Sequence, residues 1–139
     1  MILLDTNVIS EIMRPRPEQC VVDWLDRQQS SSIWTTSISL YEVHYGLLIM
    51  PAGRRRSARI DLFRYWLNEV IQERIVQFDA VAAECAAELG AVRKEKGRPG
   101  EARDTMIAGI VLANHAKLAT RNVRHFEDIA KSVVNPWEA

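Results

Sequence analysis

The stretch M-I-L-L-D-T-N-V-I-S, residues 1–10, places a carboxylate, Asp5, directly after a short run of apolar residues. The run Ile2–Leu4 is typical of a fully buried strand, and residues 6–13 predict a short helix that ends at the prolines of residues 14–17. Asp5 therefore has two interpretations. It could cap the helix that follows, or it could hold a ligand at a strand end, where α/β folds place ligands and metals.

Short apolar runs alternate with longer helical patterns along the rest of the chain. Strands separated by helices predict a parallel sheet that is covered on both faces. The length suits one domain, and no repeat or linker is evident, so we expect a single α/β domain over residues 1–139. The predicted strands are 2–4, 32–35, 74–78, 117–119 and 132–134, and the predicted helices are 6–13, 18–28, 37 or 39–50, 58–72, 80–96, 101–115 and 122–129.

Composition narrows the class of protein more than it indicates a function. Eighteen basic residues balance 18 acidic ones, so net charge gives no sign of a polyanionic partner, although residues 54–64 carry five arginines. Cys20 and Cys85 form no C-x-x-C pair, which predicts buried thiols in a reducing cytosol and argues against a disulfide framework or a zinc site. No apolar run approaches the length of about 18 residues that a membrane span needs, and no signal peptide is evident. We expect a soluble cytoplasmic protein without a membrane partner.

Three carboxylates stand where solvated acids are not expected. Asp5 ends a buried strand. Glu42 lies within S-L-Y-E-V-H-Y-G-L-L-I-M, residues 39–50, a helix so apolar that this carboxylate is predicted to enter the interior. Asp104 opens R-D-T-M-I-A-G-I-V-L-A, residues 103–113, whose body is too apolar for a surface helix. An unpaired buried carboxylate is costly, so such groups are paired, shifted in pKa or bound to metal.

Each carboxylate also has a purely structural interpretation when it is taken alone. Asp104 would complement the dipole of its helix, and Glu42 would pair with a nearby Arg or Lys. Taken together, the three could converge, because a parallel sheet brings the end of its first strand near the starts of later helices. Converging carboxylates suit Mg²⁺ or Mn²⁺, which can activate water for attack on a phosphodiester. With arginine-rich segments nearby to hold a nucleic-acid backbone, the pattern suggests a metal-dependent nuclease.

Several motifs together resemble PIN-domain proteins, and in particular the VapC/FitB toxins of bacterial toxin–antitoxin modules. They are L-L-D-T-N-V-I-S at residues 3–10, Y-E-V-x-x-G at 41–46, R-D-T-M-I-A at 103–108, L-A-T-R-N at 118–122 and N-P-W-E at 135–138. The resemblance implies a Rossmann-like α/β/α sandwich with a central, mainly parallel sheet, and a Mg²⁺- or Mn²⁺-dependent endoribonuclease acting on RNA. It further implies a homodimer that is inhibited by a small antitoxin of the VapB/FitA kind, which contacts operator DNA with its other end.

By position in these motifs, Asp5, Glu42 and Asp104 match the family's acidic ligands, both as metal ligands and as catalytic residues. Thr6 and Thr120 match hydroxyl positions near the site, where they could hold a metal-bound water or a phosphate oxygen. For Thr120 we favour the alternative that it satisfies local backbone groups at a strand end.

The chain departs from the family at the fourth acidic position, where Asn122 and His125 stand in place of an aspartate. An asparagine carbonyl can ligate a hard cation or orient its water but adds no charge, so we expect a second metal to bind poorly. His125 could donate a proton or contact phosphate, although a solvated helix residue is the favoured interpretation. The neutral Asn122 also motivates an alternative function, a weak or inactive nuclease that acts mainly as an antitoxin-binding module and modulates operator DNA binding.

Four arginines are candidates for contacts with the nucleic-acid backbone, and a solvated protein face is the competing interpretation for the cluster on the predicted helix. They are Arg121 and the cluster Arg54, Arg55 and Arg56.

Overall fold

The computed structural model describes residues 1–139 and contains one five-stranded parallel sheet. The strands are β1 Ile2–Leu4, β2 Ile33–Thr36, β3 Ile75–Val76, β4 Lys117–Ala119 and β5 Val133–Val134. They lie in the order β3-β2-β1-β4-β5, and each neighbouring pair is parallel. The predicted α/β fold with a parallel sheet is therefore confirmed.

Six α-helices connect these strands, and three of them begin at a side-chain cap, the first at Asp5. The Thr36 hydroxyl accepts from the Ser39 N–H, and the Asp79 carboxylate accepts from the Ala82 N–H at 2.9 Å. No helix combines the length and the apolar character that crossing a membrane would require. The helices are α1 Thr6–Ile12, α2 Gln19–Asp26, α3 Ser37–Leu48, α4 Arg54–Tyr65, α5 Ala80–Glu95 and α6 Ala102–Ala113, with a π-helical turn at Trp66–Ile71 and 3₁₀ segments at Ser30–Ser32 and Val123–Ser132.

Two apolar cores lie on the two faces of the sheet, because successive side chains of a strand point in opposite directions. Leu4 belongs to a cluster with residues of α1, α2, α3 and α4, whereas Leu3 belongs to a cluster with residues of α5 and α6. Both leucines are fully buried. Helices thus cover both faces, as the α/β/α interpretation requires.

The order of the strands creates a crevice at the centre of the sheet. From β1 the chain first builds β2 and β3 on one side, and β4 and β5 then extend the other side. Ligands bind in open parallel sheets at such switch points, outside the carboxyl ends of the strands. Leu4 pairs with Ala119, so the residues that follow them, Asp5 and Thr120, lie at this point. Asp104 lies at the same edge, because a helix that leads into a parallel strand starts there.

Some details differ from the sequence-based expectations. Helix α4 begins at Arg54, four residues before the predicted start, since arginine is a good helix former and no proline or glycine intervenes. The predicted helix 122–129 is a 3₁₀ segment, Val123–Ser132, that kinks at Phe126 and Ile129. Of the two thiols that were expected to be buried, Cys85 is half-buried, but Cys20 is exposed at the start of α2. For Cys20 the prediction of a buried thiol is wrong.

Candidate active site

Asp5 is a buried carboxylate, 4% exposed, at the carboxyl end of β1. Its Oδ1 accepts from the Thr6 N–H at 2.8 Å, and its Oδ2 accepts from the Thr120 hydroxyl at 2.8 Å. The first bond caps α1, and the second reaches across the switch point to the end of β4. Asp5 therefore serves the structural role and also faces the crevice.

Burial raises the pKa of the Asp5 carboxyl, since desolvation disfavours its charged form. The hydrogen bonds from Thr120 and Thr6 lower the pKa but do not offset burial, and the charge of Asp104 raises it further. The ionised form of this carboxylate is therefore less favourable in the folded protein than in the unfolded chain. The arrangement suits a cation that would compensate the charge.

Thr120 connects the two strand ends through one fully buried hydroxyl. Besides donating to Asp5, its Oγ1 accepts from the Asn122 N–H at 3.1 Å and from Asn7 Nδ2 at 3.1 Å. Asn7 Oδ1 in turn accepts from the Arg121 N–H at 3.0 Å. These bonds fix the direction of the Asp5 carboxylate and also satisfy backbone donors. The favoured interpretation of Thr120, that it satisfies backbone groups at a strand end, agrees with its bond from the Asn122 N–H, and its bond to Asp5 places it at the site as well.

Glu42 lies on α3 with its side chain 23% exposed. Its Oε1 accepts from the Thr6 hydroxyl at 3.1 Å, and its Oε2 lies 3.9 Å from Arg103 Nε. Burial raises the pKa of Glu42, the Thr6 bond lowers it, and the charges of Asp5 and Asp104 raise it. The two hydroxyls that were expected near the site, Thr6 and Thr120, thus each bind one carboxylate.

The environment of α3 differs from the expected interior helix. Tyr41, Tyr45 and Leu48 are each at least half exposed, whereas Val43 is buried. Glu42 consequently lies at the boundary between the core and the crevice, so its side chain only partly enters the interior that was predicted for it. The apolar outer face of α3 has no partner within this chain.

Asp104 lies in the first turn of α6 with its side chain 16% exposed. Its Oδ2 is 2.9 Å from His125 Nδ1. His125 follows the end of β4 and is about half exposed. His125 is therefore a solvated residue, as the favoured interpretation expects, and its ring also contacts a candidate ligand.

The three carboxylates influence one another electrostatically. The charges of Asp5 and Asp104 both raise the pKa of Glu42, and Asp104 raises that of Asp5. They do not, however, form a preassembled cluster with metal-ligand spacing, because no group of three or more His, Cys, Asp or Glu side chains is close enough. The oxygen donors fit Mg²⁺ or Mn²⁺ in kind, since Mg²⁺ commonly binds one or two carboxylates and keeps several waters.

Asn122 lies beside the site but contacts none of the carboxylates. Its backbone N–H donates to Thr120, and its exposed side-chain amide makes no hydrogen bond within the chain. Arg121, the residue before it, places its guanidinium 4.9 Å from the ring centroid of Trp137. The two residues extend the site along the carboxyl edge of the sheet.

The arginine cluster at the start of α4 is not at the site. Arg56 donates to the carbonyls of Leu48 and Met50 at the end of α3, both at 3.4 Å. Leu48 is six residues beyond Glu42, about 9 Å farther along the helix axis. Arg54 and Arg55 are exposed at the same end. These arginines and the carboxylates are therefore not brought together.

The sequence reasoning gave Asn7 and Arg103 no part in the site, and for His125 it did not predict the partner. Asn7 supports Thr120, Arg103 pairs with Glu42, and His125 pairs with Asp104. The roles of Asn7 and Arg103 could have been suggested by their neighbours in the sequence, since Asn7 is the third residue of D-T-N and Arg103 directly precedes Asp104. The pairing of His125 depends on the kinked 3₁₀ segment, which no periodicity indicates.

Comparison with known proteins gives a consistent result along the whole chain. A family model described as PIN domain matches residues 2–132. Plasmid stability protein StbB of Pseudomonas syringae pv. tomato is 38% identical, with 100% of each chain covered. VapC ribonuclease Y4jK of Sinorhizobium fredii is 34% identical, with 99% of each chain covered.

Solved structures show the same likeness. FitAcB from Neisseria gonorrhoeae has a TM-score of 0.91 and 31% identity, with 100% of each chain covered. FitAB bound to an IR36 DNA fragment has a TM-score of 0.90 and 31% identity, with 99% of this chain and 96% of that chain covered. All residues of the candidate site lie within the range that the family model matches.

Proposed function

The chain belongs to the PIN-domain family, and from this premise we propose that it is a metal-dependent endoribonuclease toxin of a toxin–antitoxin module. One PIN domain over residues 1–139 hydrolyses RNA phosphodiester bonds. The carboxylates Asp5, Glu42 and Asp104 hold a divalent cation, Mg²⁺ or Mn²⁺, and Asn122 contributes a carbonyl directly or through a water. The relative Y4jK, which is named a VapC ribonuclease, supports the reaction class.

The observation that carries the proposal is the coupling of three carboxylates at the switch point of the sheet. Burial and mutual repulsion raise the pKa values of Asp5 and Glu42, so the ionised side chains destabilise the protein unless a cation is bound. Buried carboxylates with a purely structural role are normally paired closely with a basic side chain. The basic side chain nearest to Glu42 is Arg103, and its Nε lies 3.9 Å from Glu42 Oε2, beyond hydrogen-bond distance.

The chain's own residues orient the ligands and leave the reaction space open. A divalent cation in such a site supplies activation of water and stabilisation of the developing phosphodiester charge. Thr120 and Thr6 donate to Asp5 and Glu42, which fixes the rotamers of these carboxylates as hydrogen-bonding partners of metal ligands do. His125 contacts Asp104 in the same way, through its Nδ1.

The proposed partners are a second copy of the chain and a small antitoxin of the VapB/FitA kind. Operator DNA is contacted only through the antitoxin. The similar solved structure of FitAB bound to an IR36 DNA fragment supports this assembly. The exposed apolar residues Tyr41, Tyr45, Leu48 and Ile49 on and after α3 support it too, because monomeric proteins rarely leave such a patch uncovered.

The test compares wild type with Asp5→Asn, each purified free of antitoxin and checked for folding by circular dichroism. Total RNA is incubated with each protein in Mg²⁺, Mn²⁺ or EDTA. We expect cleavage by wild type only, and only with metal. Asp61→Asn is the matched control, because Asp61 is exposed on α4 and makes no hydrogen bond or ion pair. Full activity of Asp5→Asn would refute the proposal.

A second function is favoured by one observation, the neutral amide of Asn122 at the fourth position of the site. In this alternative the chain is a weak or inactive nuclease that acts mainly as an antitoxin-binding module and modulates operator DNA binding. Cleavage of RNA by the antitoxin-free protein in Mg²⁺ and not in EDTA would exclude it. If wild type is inactive, cleavage by Asn122→Asp would show that a missing metal ligand is the cause. Inactivity of both proteins would indicate that the RNA they cut was not among the substrates tested.

A further inference from the structure

A second cleft opens on the other side of His125 from Asp104, at the carboxyl ends of β4 and β5. The residues that matter in it are Arg121, Asn122, Arg124, Asn135 and Trp137, and Glu18 and Glu138 close its rim. Two arginines face two glutamates, so the cleft has no net positive charge. A phosphate-binding patch would need an excess of positive charge, which favours a neutral planar ligand here.

A flat platform forms one wall of this cleft. The guanidinium of Arg121 lies over the indole of Trp137, 4.9 Å from the ring centroid. Arg121 is exposed, whereas Trp137 is half-buried and packs on the core cluster that contains Leu4. The Trp137 indole N–H has no hydrogen-bond partner, so packing and Arg121 hold the ring. A guanidinium on an aromatic ring presents an open planar face, on which a nucleobase can stack.

Two amides beside the platform are available for hydrogen bonds. The Asn122 side chain has no hydrogen-bond partner. Asn135 uses only its Oδ1, which accepts from the backbone N–H of Trp137 at 3.0 Å. The Asn135 amino group makes no hydrogen bond. Amide donors and acceptors next to a stacking face match the edges of a splayed nucleobase, whose recognition in RNA combines stacking with hydrogen bonding.

The platform is connected directly to the candidate metal ligands. Arg121 follows Thr120, whose hydroxyl donates to Asp5, and the Arg121 N–H donates to Asn7. His125 lines the cleft and contacts Asp104. A base on the platform would therefore belong to a nucleotide close to the phosphodiester at the carboxylates.

We propose that Arg121 and Trp137 form a base-stacking subsite for a nucleotide next to the scissile bond of single-stranded RNA, with Asn122 and Asn135 contacting the edge of the base. The inference rests on the proposed ribonuclease function and deepens it, because it gives the site a base-recognition element. It also assigns Arg121 a stacking role in place of a phosphate contact.

The test measures equilibrium binding by fluorescence anisotropy, in EDTA so that no RNA is cut. The probe is a short, unstructured, fluorescein-labelled oligoribonucleotide, together with a series in which one nucleotide at a time is abasic. For wild type we expect one abasic position to weaken binding roughly 5- to 150-fold, the equivalent of one base-stacking contact. Arg121→Lys keeps the charge but removes the planar guanidinium group. It should therefore weaken the binding of intact RNA, and no abasic position should then weaken binding further.

Controls separate stacking from charge and from misfolding. Arg64→Lys makes the same change on the exposed face of α4, where Arg64 has no hydrogen bond or ion pair, and should leave binding unchanged. Trp137→Phe keeps an aromatic ring and should give an intermediate loss, and circular dichroism checks its fold. If Trp137→Phe misfolds, Arg121→Lys alone decides.

Two outcomes overturn the subsite. The first is that Arg121→Lys binds RNA with wild-type affinity while Arg121→Gln shows a weaker salt dependence. In that case the slope of log K against the logarithm of the salt concentration is smaller in magnitude by about 0.7, as expected for one lost phosphate contact. The other is an abasic series without any sensitive position. Either result leaves the ribonuclease proposal intact if wild type cuts RNA with metal, whereas wild type that neither binds nor cuts RNA would overturn both.

Discussion

His125 Nδ1 lies 2.9 Å from Oδ2 of Asp104, which places a basic ring beside the candidate metal ligands. Asp104 Oδ1 is thereby the oxygen that has no hydrogen bond within the chain. The two positions where the resemblance implied a fourth acid hold His125 and the uncharged Asn122. The candidate site therefore has three carboxylates that can compensate the charge of a cation, and one of them, Asp104, also contacts a histidine.

Restoring a fourth carboxylate should strengthen metal binding. Asn122→Asp is expected to tighten Mn²⁺ binding roughly tenfold, because affinity for hard cations rises with the number of charged oxygen ligands. Isothermal titration calorimetry measures the change in dissociation constant. Asn68→Asp adds the same charge at an exposed position in the π-helical turn and should have no effect. Equal affinities for Asn122→Asp and wild type would show that position 122 does not reach the metal.

Removing the charge of Asp5 should cost activity but not stability. Loss of a partner that orients a metal ligand typically costs 10- to 100-fold, so loss of the ligand itself in Asp5→Asn should cost more than about 100-fold. Because burial raises the pKa of Asp5, its ionised form destabilises the metal-free protein at neutral pH. We expect the melting temperature of metal-free Asp5→Asn to be higher than that of metal-free wild type. A fall in melting temperature would contradict the assigned cost of the buried charge.

The stabilising effect of metal should increase with pH. The unfolded-state references are 3.8 for Asp5 and 4.5 for Glu42, and both folded-state pKa values are raised. Between reference and folded values the native state holds more protons, so these two groups lower metal-free stability as pH rises through that window. A divalent cation binds the deprotonated forms. The rise in melting temperature on adding Mn²⁺ should be larger at about pH 7.5 than at about pH 5, and the double variant Asp5→Asn/Glu42→Gln should lose this difference.

Much of the fold was predictable because local patterns and tertiary structure agree. The strands Ile2–Leu4 and Lys117–Ala119 have the predicted bounds, since short runs bounded by polar residues leave little freedom in register. The error at the start of α4 arose because its first turn, rich in arginine, has no apolar stripe. The π-helical turn that follows α4 is set by tertiary packing of Trp66 and Ile71, which a helical period cannot indicate.

The candidate site was predictable in its acids and much less so in its supporting residues. Asp5, Glu42 and Asp104 are charged residues among apolar neighbours in the chain, and this can be recognised from the sequence alone. The bonds from Asn7 to Thr120 and from His125 to Asp104 depend on where separate segments meet in space. The position of the arginine cluster far from Glu42 depends on the direction of α3, which charge patterns do not report.

An ion pair between a buried arginine and a partly exposed aspartate supports the segment that carries His125. Arg93, 7% exposed, donates to Asp128 at 2.7 and 2.8 Å and to the His125 carbonyl at 3.1 Å. Arg93→Met removes these bonds, and we expect a loss of about 2–3 kcal/mol in the free energy of unfolding, below the range for fully buried pairs because Asp128 is 31% exposed. Denaturation by urea measures this loss.

The same pair predicts a pH dependence of opposite sign to that of Asp5. Hydrogen bonds from Arg93 hold the pKa of Asp128 below its usual 3.8, so the stabilisation is present above that value and is lost as pH falls through the folded pKa. The difference between wild type and Arg93→Met should therefore shrink in acid. A double-mutant cycle with Asp128→Asn isolates the coupling, and strictly additive effects of the two substitutions would contradict it.

The contact between α5 and α6 leaves no space for a side chain at Gly109. A Cβ built there would lie 2.6 Å from the Ala82 carbonyl oxygen and 2.6 Å from the Ala86 Cβ, so the backbones of α5 and α6 would have to separate. Although alanine is the better helix former, Gly109→Ala is expected to lower the free energy of unfolding by about 1–3 kcal/mol, because overpacking outweighs propensity. Gly46→Ala is the matched control, since a Cβ at Gly46 meets no atom within 4 Å and alanine should stabilise α3 slightly. If Gly109→Ala matched or exceeded wild type in urea denaturation, α5 and α6 would have to be free to move apart, and with them the first turn of α6 that carries Asp104.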